Sequence, residues 1–291
     1  MLELAGLTDM RAWSRAQRAR GDRIAFVPTM GFLHEGHLQL VDRAKARADR
    51  VVLSIFVNPL QFGPTEDFAT YPRDLARDRA LARERGADCL FTPETKAMYP
   101  EASPPVARVV PDAMGDVLEG AIRPGHFTGV LTVVAKLLHV VEPDVAVFGR
   151  KDFQQATLIR RMVVDLDVPV EIEVAPTTRE LDGLALSSRN AYLTADERRP
   201  ALALSRALRA VEQAWRGGEA NPENLKRRGM EVLAAPGVTP EYLALVDESL
   251  QPVARASAKT IVLVAARVGA TRLIDNVVLG EGIGADPAVR A

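Results

Sequence analysis

As far as Pro176, two hydrophobic periods alternate along this chain. Ile24 to Val27 is a short apolar run of the kind that forms a buried strand. Leu38, Val41, Ala44 and Ala48 then recur at helical spacing, predicting a helix that ends near Ala48. Val51 to Val57 is continuous and β-branched, as expected of a strand covered on both faces. Strand, helix and strand in that order predict a βαβ crossover and a parallel sheet. The alternation continues with a helix around Arg73 to Arg85 stopped by Gly86, and a strand at Cys89 to Phe91. A largely buried helix at Phe127 to Val141, a strand at Val145 to Phe148, a helix at Phe153 to Leu166 and a last strand at Val170 to Val174 follow. A surface helix over residues 8–20, with Thr8 or Asp9 as its cap, precedes the first strand. Residues 92–105 are proline-rich and read as loop.

The texture changes near Pro176. A polar, glycine-containing connection runs to Leu193, and helical stretches follow at about 195–216 and 222–234. Strand-like runs then cover Tyr242 to Val246, Thr260 to Val268 and Thr271 to Leu279. Helices followed by hairpin-connected strands predict a small α+β domain. The expected division is therefore residues 1–177, an α/β domain, and residues 178–291. The tail from Gly280 carries a G-x-G-x-G with no helix after it, and it reads as a frayed terminus.

Composition narrows the classes. The chain has 291 residues, 47% hydrophobic and 26% charged, enough for a sizeable core under a charged surface. A formal net charge of -1 weighs against a nucleic-acid binder held by phosphate electrostatics. One cysteine excludes an internal disulfide framework, and Cys89 is expected to pack as a small apolar residue. With neither a signal-like apolar core at the start nor an apolar run approaching a membrane span of ~20 residues, the expectation is a cytoplasmic protein without membrane contact.

The candidate chemistry begins at Val27-Pro28-Thr29-Met30-Gly31-Phe32-Leu33-His34-Glu35-Gly36-His37. A tight turn leads from a strand into a helix start, whose unpaired N–H groups and positive dipole end suit a phosphate. His34 and His37 can donate hydrogen bonds to phosphate oxygens as charge grows on them. They could instead be ordinary polar residues at a helix start. A zinc-protease pair needs the second histidine four residues on, where Leu38 stands, and the glycines do not give G-x-G-x-x-G spacing. Lys151 follows a second strand in a similar turn, one of 6 lysines against 31 arginines, and offers a compact charge for phosphate. Ser187-Ser188-Arg189 offers two hydroxyls and a guanidinium in the polar connection, either as a serine-rich linker or as a clamp on pyrophosphate. Gln61 and Gln155 are neutral amides suited to a hydroxylated carboxylate, and Arg123 is a further anion contact. His126 and His139 read as structural.

In this order and spacing PTMGFLHEGH, FVNPLQFG, RPGHFTGVLTVVAKLL, FGRKDFQQ and DGLALSSRN closely resemble the pantothenate synthetase (pantoate–β-alanine ligase) family. The resemblance implies a Rossmann-like nucleotidyltransferase domain with a smaller C-terminal α+β lid, assembled as a homodimer. It implies ATP contacts from Met30, Gly31, Phe32, Leu33, His34, Glu35, Gly36 and His37. Gly149, Arg150, Lys151, Asp152, Thr178, Leu186, Ser187, Ser188 and Arg189 would complete them. His37 would be the proton donor, with His34, Lys151, Ser187, Ser188 and Arg189 stabilising charge. Gln61 and Gln155 would hold pantoate, Gln61 also lying near β-alanine; beside what the resemblance implies, Asn58 and Arg123 are further candidate substrate contacts. Magnesium would come with ATP, without a dedicated protein cage. The implied reaction forms pantoyl adenylate and pyrophosphate from pantoate and ATP, then pantothenate and AMP from the adenylate and β-alanine. Phe32 stands where a small residue is expected, Arg150 where an acid or amide is, and Thr178 where an aliphatic residue is. Two other readings remain open: another H-x-G-H nucleotidyltransferase, such as a nucleotide-cofactor adenylyltransferase, and a non-catalytic nucleotide-binding module.

Overall fold

Successive residues of a strand point to opposite faces, so a strand buried on both sides must be apolar throughout. The computed structural model, which describes residues 1–100 and 105–283, shows this in the strand β2 (Ile24–Thr29). Ile24 and Phe26 enter one hydrophobic core while Ala25 and Val27 enter another. The same split runs through β3 (Arg50–Ile55), β4 (Cys89–Phe91) and β5 (Val145–Gly149). With β1 (Leu2–Leu4) and β6 (Glu171–Ala175) they form a six-stranded parallel sheet in the order β1-β4-β3-β2-β5-β6.

Helices cover both faces. On one lie α1 (Leu7–Arg18), α6 (His126–Val141) and α7 (Phe153–Asp165), and on the other α2 (Glu35–Lys45) and α3 (Leu75–Glu84). Short helices α4 (Thr95–Met98) and α5 (Glu119–Ile122) lie in the connections. The strand order reverses between β2 and β5, since β3 and β4 extend the sheet one way and β5 and β6 the other. In open α/β sheets ligands bind at the carboxyl ends of strands at such a point, and β2 ends in the histidine turn.

By internal contacts the chain divides into two compact units, Met1–Gly149 with Gln154–Ala175, and Arg150–Phe153 with Pro176–Ala291. In the second unit α8 (Ala195–Ala201), α9 (Ala203–Arg216) and α10 (Pro222–Leu233) accompany an antiparallel sheet of β7 (Val238–Val246), β8 (Ile261–Val268) and β9 (Thr271–Val278). Its core joins Leu204, Leu208, Val211 and Leu225 of the helices to Leu243, Val262, Val264 and Leu273 of the strands.

Several expectations from sequence need correction. The first helix starts at Leu7 with Gly6 as its N-cap, so neither Thr8 nor Asp9 caps it. The edge strand β1 is three residues long and has too little pattern to be read. The stretch near 195–216 is two helices, because Pro200 lacks a donor and crowds the preceding turn, and the chain breaks at Leu202. The proline-rich loop contains α4, and residues 101–104 lie outside the described residues, as does the tail from residue 284. Cys89 is fully buried in β4, where burial pushes its thiol up to about 12. Among the described residues no helix is long and apolar enough to cross a membrane.

Candidate active site

In the first unit the site is built from the turn that leaves β2. Thr29 Oγ1 donates to the Ser54 carbonyl at 2.7 Å and accepts the Gly31 N–H at 3.1 Å, which bends the chain away from the sheet. Gly31 has φ +84°, and a Cβ there would lie 2.8 Å from Ile55 Cγ2 and 3.0 Å from Asp78 Oδ2, so only glycine fits. Phe32 is also left-handed, at φ +50°. This costly backbone is held by Asp78 of α3, whose two carboxylate oxygens accept the N–H groups of Phe32 and Leu33, each at 2.7 Å. Asp78 is 1% exposed. Burial pushes its carboxyl above the usual range, and the two backbone N–H groups work against that shift. Leu33 is fully buried and anchors the other side of the turn. Phe32, the bulky departure noted above, takes a cation–π contact from Arg77, 5.5 Å above its ring.

His34 is the N-cap of α2 and His37 lies in its first turn. The rings stack, with centroids 4.0 Å apart and planes 26° from parallel. The His34 backbone N–H donates to His37 Nδ1 at 3.4 Å. An Nδ1 that accepts carries no proton, so the ring proton of neutral His37 sits on Nε2. The Glu35 carboxylate pairs with Arg85 at 2.5 Å, leaving Glu35 its backbone as the group to offer a ligand.

The loop after β3 supplies the second half of this unit's site. Gln61 Nε2 approaches Met30 Sδ at 3.1 Å, which joins the histidine turn to the candidate substrate amide. Asn58 is 1% exposed and its polar atoms are engaged within the protein. Its Nδ2 donates to Gln61 Oε1 and the Gly129 carbonyl, each at 3.1 Å, while its Oδ1 accepts from Tyr99 Oη at 2.8 Å and Leu60 N at 3.3 Å. The expected substrate contact is thus placed as the support of Gln61.

His126 is buried, and its Nδ1–H donates to the Gln61 carbonyl at 2.8 Å while Nε2 accepts from Arg123 at 3.0 Å. Burial, and then the neighbouring guanidinium, lower it to about 4. Arg123 differs from its reading as an anion contact: it forms a bidentate pair with Glu66, both bonds 2.7 Å, so its charge is already matched. Burial disfavours the Glu66 carboxylate, but the Arg123 bonds and charge outweigh it and hold the group below its ordinary range. These residues line a cleft of about 530 Å³ together with Phe62, Thr65, Arg108 and Thr128. Gln155 is half-buried on α7, whereas its neighbour Gln154 is buried and bonds Glu119 N, Met114 O and Val117 O.

In the second unit Arg150–Asp152 forms a short 3-10 turn. Lys151 Nζ lies 3.7 Å from Asp152 Oδ1, and Arg150, the basic departure, pairs with Glu281. Asn276 of β9 donates from Nδ2 to the carbonyls of Arg150 and Lys151, both at 2.9 Å. Thr178 is buried and its carbonyl accepts the Leu186 N–H at 2.9 Å, next to an antiparallel bridge between Arg179 and Ala185. The returning arm ends in a 3-10 helix, Ser188–Tyr192, capped by Ser187 Oγ accepting the Arg189 N–H at 3.3 Å. The serine segment is therefore an ordered turn at the end of a small hairpin.

Reasoning from sequence missed Asp78 and Asn276. Only Asp78 leaves a trace there, as a polar residue at a position where the helix's own pattern calls for an apolar one. Asp78 shares a helix face with Leu75, Leu81 and Ala82, whereas Asn276 lies on the strand face opposite the core residues Leu273 and Val277, where the pattern already carries Arg272.

A doubly covered parallel sheet whose switch-point strand ends in an H-x-G-H turn at a helix start defines a Rossmann-like nucleotidyltransferase. Residues 4–278 match the family described as pantoate-beta-alanine ligase, and the chain belongs to that family. It is 50% identical over 282 residues to a pantothenate synthetase from Pelobacter propionicus, covering 95% of this chain and 98% of that protein. With one from Acidobacterium capsulatum the identity is 54% over 260 residues, covering 89% and 86%. A crystal structure of pantothenate synthetase from Thermus thermophilus superimposes with a TM-score of 0.90 at 47% identity, covering 96% of this chain and 99% of the other. A pantoate-beta-alanine ligase from Francisella tularensis, complexed with beta-gamma ATP and beta-alanine, gives a TM-score of 0.81 at 34% identity, with 97% and 99% covered.

Proposed function

We propose that this chain joins (R)-pantoate to β-alanine in an ATP-dependent amide ligation that passes through pantoyl adenylate. Family membership supports the reaction. The observation that carries it within this molecule is the contact of Met30 with Gln61, which sets a phosphate-directed turn beside an amide suited to a hydroxy acid.

In the first step a pantoate carboxylate oxygen attacks the α-phosphorus, an O–P bond forms, and the bond to pyrophosphate breaks. A carboxylate is already ionised at pH 7, so no strong base is required. The work is alignment and stabilisation of charge. In this reading His37 Nε2–H and the first N–H groups of α2 meet the phosphate oxygens, with His34 beside them. Lys151, Ser187, Ser188 and Arg189 meet the remaining phosphate charge, and Met30 to His37, Gly149 to Asp152, Thr178 and Leu186 line the nucleotide. Gln61 and Gln155 hold pantoate. In the second step the free amine of β-alanine attacks the acyl carbon, AMP leaves, and the ammonium proton is released.

Magnesium is expected to arrive with the triphosphate. The half-exposed Asp152 carboxylate has the right chemistry to hold such an ion through water, and the ion would draw charge off the phosphate oxygens. A homodimer in the cytoplasm belongs to the same reading. So does the assignment of residues 1–177 as the ATP- and pantoate-binding domain and of 178–291 as the lid domain.

The test is exchange of labelled pyrophosphate into ATP without β-alanine. Exchange that requires pantoate, with AMP and pantothenate formed once β-alanine is added, is the expected result. Neither exchange nor pantothenate would overturn the reading in favour of another nucleotidyltransferase activity.

A further inference from the structure

A short 3-10 turn has few internal bonds with which to fix its own orientation. The turn Arg150–Asp152 therefore depends on what holds it from outside, and Asn276 does so with both of its amide hydrogens. One meets the Arg150 carbonyl and the other the Lys151 carbonyl, each at 2.9 Å. Two carbonyls can be met only by the NH2 end, so the amide has one orientation.

Asn276 is itself pinned. Its backbone N–H donates to Asp275 Oδ1 at 2.7 Å, and its carbonyl accepts from Arg179 at 3.3 Å. Arg179 in turn grips both Asp275 oxygens, at 2.7 and 2.8 Å, with both side chains buried. A buried ion pair is an expensive way to stabilise a fold compared with apolar packing, and its best-attested use is to set register. Asn276 is 2% exposed and its Oδ1 is buried without a hydrogen-bond donor among the described residues. A position serving packing alone would avoid that penalty with an apolar side chain.

We infer that Asn276 is a positioning residue for the adenylation step: held in register by the Asp275–Arg179 pair, it fixes the backbone that aims Lys151 at the nucleotide phosphates. The inference rests on the role proposed above for Lys151.

The experiment is a double-mutant cycle of Asn276→Leu and Lys151→Ala in the full chain. It is read by pantoate-dependent pyrophosphate exchange, with thermal unfolding as the control for folding. Lys151→Ala alone should lower exchange turnover. Asn276→Leu alone should lower it roughly 10–100-fold, the scale of a misaligned catalytic group, with the pantoate KM unchanged. In the Lys151→Ala background Asn276→Leu should cost less than about twofold. An equal loss in both backgrounds would overturn the inference while leaving Lys151 in place. No effect of Lys151→Ala would overturn both. If the leucine variant does not fold, Asn276→Ser carries the same cycle, and failure of both variants to fold overturns the inference by making the amide a folding requirement.

Discussion

Asp78 Oδ1 accepts the backbone N–H of Leu33 at 2.7 Å across 45 residues of sequence, and its other oxygen takes Phe32. A helix on one side of the sheet thereby straps the turn that leaves the switch-point strand. In Asp78→Asn one oxygen becomes an NH2 group facing an N–H, and a buried donor is left unmet. The variant should lose about 1–3 kcal/mol in urea unfolding. Because Gly31 and Phe32 would relax from their left-handed conformations, kcat/KM for ATP should fall about tenfold or more. Activity within twofold of the parent would show that the turn keeps its shape without the carboxylate.

The His34 N–H occupies His37 Nδ1 and places the ring proton on Nε2, the donor proposed for the phosphate. His37→Ala should reduce exchange turnover roughly 10²–10³-fold, the loss typical of one charge-stabilising donor, with an unchanged melting transition. A loss below tenfold in a folded variant would remove His37 from that role.

His126 makes stability depend on pH. Its folded value of about 4 lies below the ~6.5 of an unfolded histidine, so between those values the unfolded chain binds the extra proton. Its contribution to stability is present in full above about 6.5 and is lost as pH falls towards 4, amounting to about 3 kcal/mol below both. His126→Gln should flatten the urea midpoint across that window. An unaltered pH profile would mean that other groups carry it.

Gly129 has no room for a side chain, since a Cβ would stand 2.2 Å from the Leu60 carbonyl oxygen. Backbone cannot yield as a flexible side chain does. Gly129→Ala should therefore cost about 1–3 kcal/mol and raise the pantoate KM by displacing Gln61, as steady-state kinetics would show. A variant with parental stability and KM would contradict that coupling.

What could be read in advance follows from distance along the chain. The βαβ pattern, the doubly buried strands and the histidine turn are encoded in neighbouring residues, and each appears in the structure within a few positions of its expected bounds. Ser187 and Lys151 stand out as candidates only because family motifs surround them. The partners of these groups do not stand out. Asp78 meets the turn from 45 residues away and Asn276 meets Lys151 from 125 residues away, and no periodicity reports on such pairings. Arg123 illustrates the same distance effect, since its partner Glu66 stands 57 residues away in sequence.

The separation of Lys151 from Asn276 also has a meaning in time. At about 5–20 residues per second, ribosomal synthesis puts roughly 6–25 s between the appearance of the lysine and that of the amide that holds its turn. The parallel sheet can be finished on the ribosome during that interval, whereas the turn bearing Lys151 acquires the support of Asn276 only when β9 has emerged. A nascent or truncated chain lacking β9 therefore lacks the amide that holds the turn of Lys151, and on the role proposed for that lysine it would lack an aimed charge for the phosphates.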